Sequence, residues 1–240
     1  MNRPPEDYIV FPLDVPSLDE AMQYVRVLGE CVGLFKVGLE LFISAGPDIV
    51  KAIHDAAGPK VFLDLKLHDI PATVKRAFLA ASRLGPRFIT IHCDQGDGML
   101  EDVARDNPGG TKILAVSILT SLGPSDLERL GYRPSYVEDV SALVLDRARM
   151  AREAGCHGMV CSGQEVARVK QEVGDEMIVV TPGIRPAWTR VPGDDQRRVV
   201  TPKEAVQRGA DYIVVGRPIR DASNPVEAAR KLAGEISTAF

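Results

Sequence analysis

The chain has little of what would mark a disulfide framework, a metal centre, a membrane span or a nucleic-acid partner. Its 240 residues include four cysteines, Cys31, Cys93, Cys156 and Cys161, and no two stand in a C-x-x-C spacing. The four histidines, His54, His68, His92 and His157, form no metal signature. Reduced, inert thiols are therefore expected, and a structural or catalytic metal is not. No stretch approaches the roughly 18 apolar residues of a spanning helix. The opening MNRPPEDYIV lacks the apolar segment of a signal peptide. A cytoplasmic location without a membrane partner is the expectation. Basic residues are scattered and the formal net charge is −4, which argues against nucleic acid as a main partner.

What is present is the composition of a globular protein large enough to bury a core without staples. Short β-branched runs alternate with helical patterns along the whole chain. Strands are expected at 8–14, 34–37, 87–92, 112–119, 158–161, 177–181 and 211–215, with one more beginning at Val61. Helices are expected over 18–28, 47–57, 72–84, 97–105, 126–130, 137–154, 165–173, 203–208 and 225–238, with Ser17 as a cap for the first. Strands alternating with helices call for a parallel sheet. Eight such units in a chain of this length fit a (β/α)8 TIM barrel, one domain over residues 1–240.

The stretch VFLDLKLHDIPATV, Val61 to Val74, is the most informative. On a strand, Phe62, Asp64 and Lys66 share one face, and Val61, Leu63 and Leu65 the other. A carboxylate and an ammonium on an inward face need partners, and such groups concentrate at functional sites. Asp69 follows where strand gives way to loop, and Pro71 opens a helix. Taken alone, the D-x-K-x-x-D pattern also fits a buried ion pair with one surface aspartate.

In a barrel the active site lies at the C-terminal ends of the strands. Asp14, Lys36, Asp64, Lys66, Asp69, Thr120, Arg185, Gln196, Gly216 and Arg217 all fall there. The loops after strands seven and eight often bind phosphate in this fold. Gly216 permits close approach to an anion, and Arg217 can donate two parallel hydrogen bonds to phosphate oxygens. The connection 183–202 has no helical or strand periodicity, which suits an active-site lid. Trp188, the single tryptophan, lies in it. It is expected to be largely wet before ligand binds, the opposing reading being a permanent anchor on the barrel rim.

Taken together, Asp14, FKVGLELF with Lys36, DLKLHDIP with Asp64, Lys66 and Asp69, LTS with Thr120, PGIR with Arg185, DDQRR with Gln196, and VVGRP with Gly216 and Arg217 resemble the orotidine 5′-phosphate decarboxylase family. The family often has Asn where this chain has Ala72. The resemblance implies loss of CO2 from orotidine 5′-phosphate to give uridine 5′-phosphate, without metal or organic cofactor. It implies that Lys36, Asp64, Lys66 and Asp69 form an alternating charge array, with Lys66 as proton donor. Asp69 and Thr73 match residues that reach into a neighbouring subunit's site, so a homodimer with shared active sites is implied. Asp14 matches a ribose contact, Thr120 and Gln196 match contacts near the pyrimidine and closing loop, and Arg217 matches the phosphate ligand. The competing readings are a magnesium-dependent sugar-phosphate decarboxylase on a related barrel and a catalytically silent nucleotide-binding protein.

Overall fold

The computed structural model describes residues 3–189 and 198–240. Eight strands close into a parallel barrel in sequence order, from β1 to β8. They are β1 (Ile9–Pro12), β2 (Leu34–Val37), β3 (Val61–Leu67), β4 (Phe88–His92), β5 (Lys112–Val116), β6 (Gly158–Val160), β7 (Ile178–Thr181) and β8 (Tyr212–Val214). The closing pair is β1 with β8, where Ile9 faces Ile213 and Val10 faces Val214. Helices lie between the strands, as the alternation requires. The expected (β/α)8 TIM barrel is the fold found.

The period of two along each strand sorts side chains into two apolar layers. One set, including Ile9, Phe11, Phe35, Leu63, Ile89, Ile113, Val179 and Ile213, packs outward under the helices. The other set fills the barrel: Val10, Leu34, Phe62, Phe88, Leu114, Val180 and Tyr212 form one buried cluster. Phe88 meets Phe62 and Tyr212 edge-on, with ring centroids 5.8 and 5.2 Å apart. Truncating one of these rings would cost about 3–5 kcal/mol.

Two residues further along β2, β3 and β4, on the same inward face, stand Lys36, Asp64 and Thr90. The apolar plug is thus the floor beneath a polar layer. That layer is where the chain departs from what a core should contain.

Several helix boundaries match the sequence pattern. Ser17 caps Leu18–Leu28, its hydroxyl accepting from the Glu20 N–H at 3.3 Å. The helix expected over 137–154 is instead two, Pro134–Glu138 and Val140–Glu153. Asp139 breaks them because its side chain caps the second, accepting from the Ser141 N–H at 2.9 Å. Among the described residues, three short helical segments carry no sequence expectation: the 3-10 helix Pro5–Tyr8 before β1, Leu39–Ala45 directly after β2, and Arg217–Arg220 directly after β8.

Candidate active site

The three polar residues of the inward layer meet. Lys36 Nζ lies 3.2 Å from Asp14 Oδ1 and 3.4 Å from Asp64 Oδ2. Lys66 Nζ lies 2.7 Å from the same Asp64 oxygen. Gly38 keeps space beside this group; a Cβ there would stand 3.2 Å from Lys36 Nζ. Burial alone would push the Asp64 carboxyl up, but Lys36 and Lys66 outweigh it and hold it below its ordinary value. Burial would likewise lower Lys36, and the Asp64 and Asp14 carboxylates outweigh it and hold the ammonium above its ordinary value. Asp64 and Lys36 therefore stay ionised although both side chains are largely out of water.

The end of β3 is irregular. Between Leu63 and Leu67 the pairing slips, because β3 advances from Leu63 to Leu67 while β4 advances only from Ile89 to Ile91. Lys66 takes φ of +47°, the one left-handed non-glycine residue among those described. The bulge turns its side chain toward the barrel mouth. Two residues hold this segment, Thr90 of β4 and Gln95 in the loop after it, and the sequence pattern marks neither. The Thr90 hydroxyl lies 3.0 Å from Asp64 Oδ1 and accepts from the Lys66 N–H at 2.9 Å. Gln95 accepts from the Asp69 N–H and donates to the Leu67 carbonyl, both at 3.2 Å. A side chain that pairs with an irregular ladder leaves no local signal.

Asp69 and Thr73 are not drawn into the array of their own chain. Asp69 is exposed, and its carboxylate accepts from the Ile70 N–H at 2.7 Å. Thr73 is half-buried in the first turn of Pro71–Ser82. His92 lies further along the inward face of β4, 3.8 Å from Asp94, and burial lowers its pKa.

Two adjoining cavities open at this rim. The first, about 260 Å³, is lined by Lys36, Asp64, Lys66 and Thr120 among apolar residues that include Phe62, Val116, Ile118 and Val160. The second, about 430 Å³, is lined by Asp14, Lys36, Gly183, Arg185, Gly216, Arg217 and Arg220. Lys36 belongs to both. Gly216 is required because Pro12 packs against it; a Cβ would meet Pro12 Cγ at 2.9 Å. Arg220 is an addition to the expected set. It pairs with Asp221 at 2.7 Å and stands 3.4 Å from the Asp14 carbonyl. The arrangement offers a half-apolar slot for a flat ring beside a cationic basin for an anion.

Gln196 lies outside the described residues, as does 190–197 of the long connection. The two ends of that connection are tied together. Ile184 bridges Val200, and the Arg185 N–H donates to the Val200 carbonyl at 3.0 Å. Arg198 pairs with the buried Glu165 at 2.7 Å. Trp188 is half-buried rather than largely wet: Lys231 Nζ sits 4.6 Å from its ring centroid, and its indole nitrogen is shielded from water. A cation over the indole face fixes the ring against Pro225–Ser237. Among the described residues, no group of three or more His, Cys, Asp or Glu side chains is disposed to hold a metal ion. No described helix is long and apolar enough to cross a membrane.

Comparison with known proteins agrees with this geometry. The model of the "Orotidine 5'-phosphate decarboxylase / HUMPS family" matches residues 7–232. A protein of Desulfosudis oleivorans named orotidine 5'-phosphate decarboxylase is 47% identical over 240 residues, covering 100% of this chain and 96% of that one. One of the same name from Methylococcus capsulatus is 48% identical, covering 99% and 95%. The crystal structure of orotidine 5'-phosphate decarboxylase from Lactobacillus acidophilus superposes with a TM-score of 0.81 at 34% identity, covering 95% of this chain and 98% of that one. On a match that runs from before β1 to the last helix, the chain belongs to the orotidine 5'-phosphate decarboxylase / HUMPS family.

Proposed function

We propose that this chain decarboxylates orotidine 5′-phosphate to uridine 5′-phosphate, a step of de novo pyrimidine biosynthesis, with Lys66 as the proton donor. The observation that carries the proposal is the Lys36–Asp64–Lys66 array at the junction of a ring-sized slot and a cationic basin. The pyrimidine occupies the slot, near Thr120. The ribose lies toward Asp14 and Lys36, and the phosphate toward Arg217, Arg185 and Gly216, with Gln196 contributing from the long connection.

In the reaction, the bond between the ring carbon and the carboxylate breaks and CO2 leaves. The electron pair stays on the ring carbon, which delocalises it poorly. The Lys66 ammonium stabilises that charge as it develops and then gives its proton to the same carbon. Asp64 fixes the ammonium through the 2.7 Å contact. Lys36 supplies the second cation, which keeps Asp64 ionised beside the substrate carboxylate. Contacts to the remote phosphate make their binding energy available to the chemical step. No metal or organic cofactor enters this scheme.

The same reading makes the whole chain, residues 1–240, one barrel domain, cytoplasmic, working as a homodimer with no nucleic-acid or membrane partner. Asp69 and Thr73 then complete the neighbour's site. Support for the dimer comes from the surface beside Asp69. Leu39, Ile43 and Ile70 are 52%, 79% and 67% exposed. They lie in the same region as an apolar hollow of about 460 Å³ lined by Phe42, Pro47, Leu65, Leu67, Ala77 and their neighbours. Exposed apolar surface of this kind marks an interface, and a two-fold axis there would bring each Asp69 toward the other subunit.

The test is the fall in ultraviolet absorbance when purified protein meets orotidine 5′-phosphate, with and without EDTA. Turnover unaffected by EDTA is expected. Turnover abolished by EDTA would favour the magnesium-dependent relatives, and no turnover at all would contradict the proposal.

A further inference from the structure

Thr90 lies at the centre of β4 and is fully buried. It lines neither cavity, yet it touches both charged residues of β3. A threonine hydroxyl has one proton to give and lone pairs to accept with. The Lys66 backbone N–H, 2.9 Å away, can only donate. The hydroxyl therefore accepts there, and its single proton is directed to Asp64 Oδ1, 3.0 Å away. Both capacities of one buried oxygen are used, each on a different member of the array.

Each contact has a consequence. Asp64 presents Oδ2 to both ammoniums, at 2.7 and 3.4 Å. Rotation of the carboxylate would break that sharing, and the bond from Thr90 to the other oxygen opposes rotation. Lys66 holds φ of +47° where the β3–β4 ladder slips between Leu63 and Leu67. A left-handed lysine is strained, and such strain persists only where the surroundings hold it. At this slip the Lys66 N–H is received by the Thr90 side chain.

We propose that Thr90 is a positioning residue for the reaction: its hydroxyl sets the orientation of Asp64 and holds the backbone of Lys66 in the conformation that carries the ammonium to the barrel mouth. Thr90 acts through these two residues and not on the substrate. Its loss therefore falls on the chemical step more than on binding. The inference rests on the decarboxylase reading for its kinetic readout only.

The experiment compares Thr90→Val, which keeps the shape and removes the hydroxyl, with Thr90→Ser, which keeps the hydroxyl and removes the methyl. In Thr90→Val, kcat for orotidine 5′-phosphate should fall by about 10- to 100-fold, the scale of a misplaced reacting group, with KM changed less than kcat. Thr90→Ser should restore most of kcat. Independently of activity, the Lys66 amide should exchange its hydrogen about 10-fold faster in Thr90→Val, the worth of one hydrogen bond, and stay protected in Thr90→Ser. If Thr90→Val does not fold, Thr90→Cys, whose thiol is a poor donor and acceptor, takes its place in the comparison with serine. Thr90→Ser as impaired as Thr90→Val would overturn the proposal, since volume and not the hydroxyl would then matter. So would a hydroxyl-less variant with wild-type kcat or an unchanged Lys66 amide. Were the wild type inactive on this substrate, the decarboxylase reading would fail, and the amide exchange would still decide the role of Thr90.

Discussion

The Lys66 ammonium and the Asp64 carboxylate stand 2.7 Å apart, and both come from one strand, two residues from each other. Side chains so placed on a regular strand would point the same way but lie apart. The bulge between Leu63 and Leu67 and the left-handed Lys66 close that distance. The contact is therefore built by backbone irregularity as much as by residue choice.

The pH dependence of this array follows from two opposite shifts. Asp64 in the fold lies below its ordinary value of 3.8, so its contribution is complete above that value and is lost as pH falls through the folded one. Lys36 lies above its ordinary 10.5, so its contribution is complete below that value and is lost as pH rises through the folded one. Chemical denaturation of wild type and Asp64→Asn should thus differ by a constant amount between about pH 5 and 9 and converge in strong acid. A difference that already shrinks between pH 7 and 5 would contradict the ionised, paired Asp64.

Arg217→Ala should raise KM for orotidine 5′-phosphate by about 10- to 100-fold, the worth of one charge-assisted hydrogen bond. Slow turnover of the nucleoside, which has no phosphate, should be unaffected by the substitution. Equal losses with nucleotide and nucleoside would move Arg217 out of the phosphate site.

Asp69 is exposed in its own chain, which suits a residue that serves its neighbour. Mixing inactive Asp69→Ala with inactive Lys66→Ala should restore activity, because each hybrid dimer has one site with both residues native. About a quarter of wild-type activity is the limit when half of all dimers are hybrids and half of their sites are intact. No recovery, with subunit exchange demonstrated by mass, would count against shared sites.

Trp188 beneath Lys231 makes a direct optical test. Acrylamide should quench its fluorescence weakly in the unliganded protein and little differently with nucleotide bound. Lys231→Ala should increase quenching by removing the cation over the indole. Quenching as strong as that of an exposed indole in the unliganded wild type would show that the ring is not anchored.

Much of this was legible in the sequence. The eight-strand alternation is readable because short β-branched runs recur between helical patterns, and the polar strand ends because Lys36 and Asp64 each follow an apolar residue two places before. The helix Leu39–Ala45 was not, because Leu39 and Ile43 are exposed apolar residues that blur its periodicity. The contacts of Gln95, and that of Thr90 with the Lys66 N–H, are not legible because they arise at a register slip, which no local pattern encodes. Arg220 was missed because its place in the basin depends on the short turn Arg217–Arg220. Trp188 was misjudged because its cover, Lys231, comes from the last helix.

The central claim is that Lys66 delivers the proton that completes decarboxylation. Release of CO2 from carboxyl-labelled orotidine 5′-phosphate by wild type and by folded Lys66→Ala tests it most directly. The account predicts rapid release by the wild type and a loss of at least about 1000-fold in Lys66→Ala, with circular dichroism unchanged. Release by Lys66→Ala within a few-fold of wild type would remove the lysine from the mechanism and contradict the account.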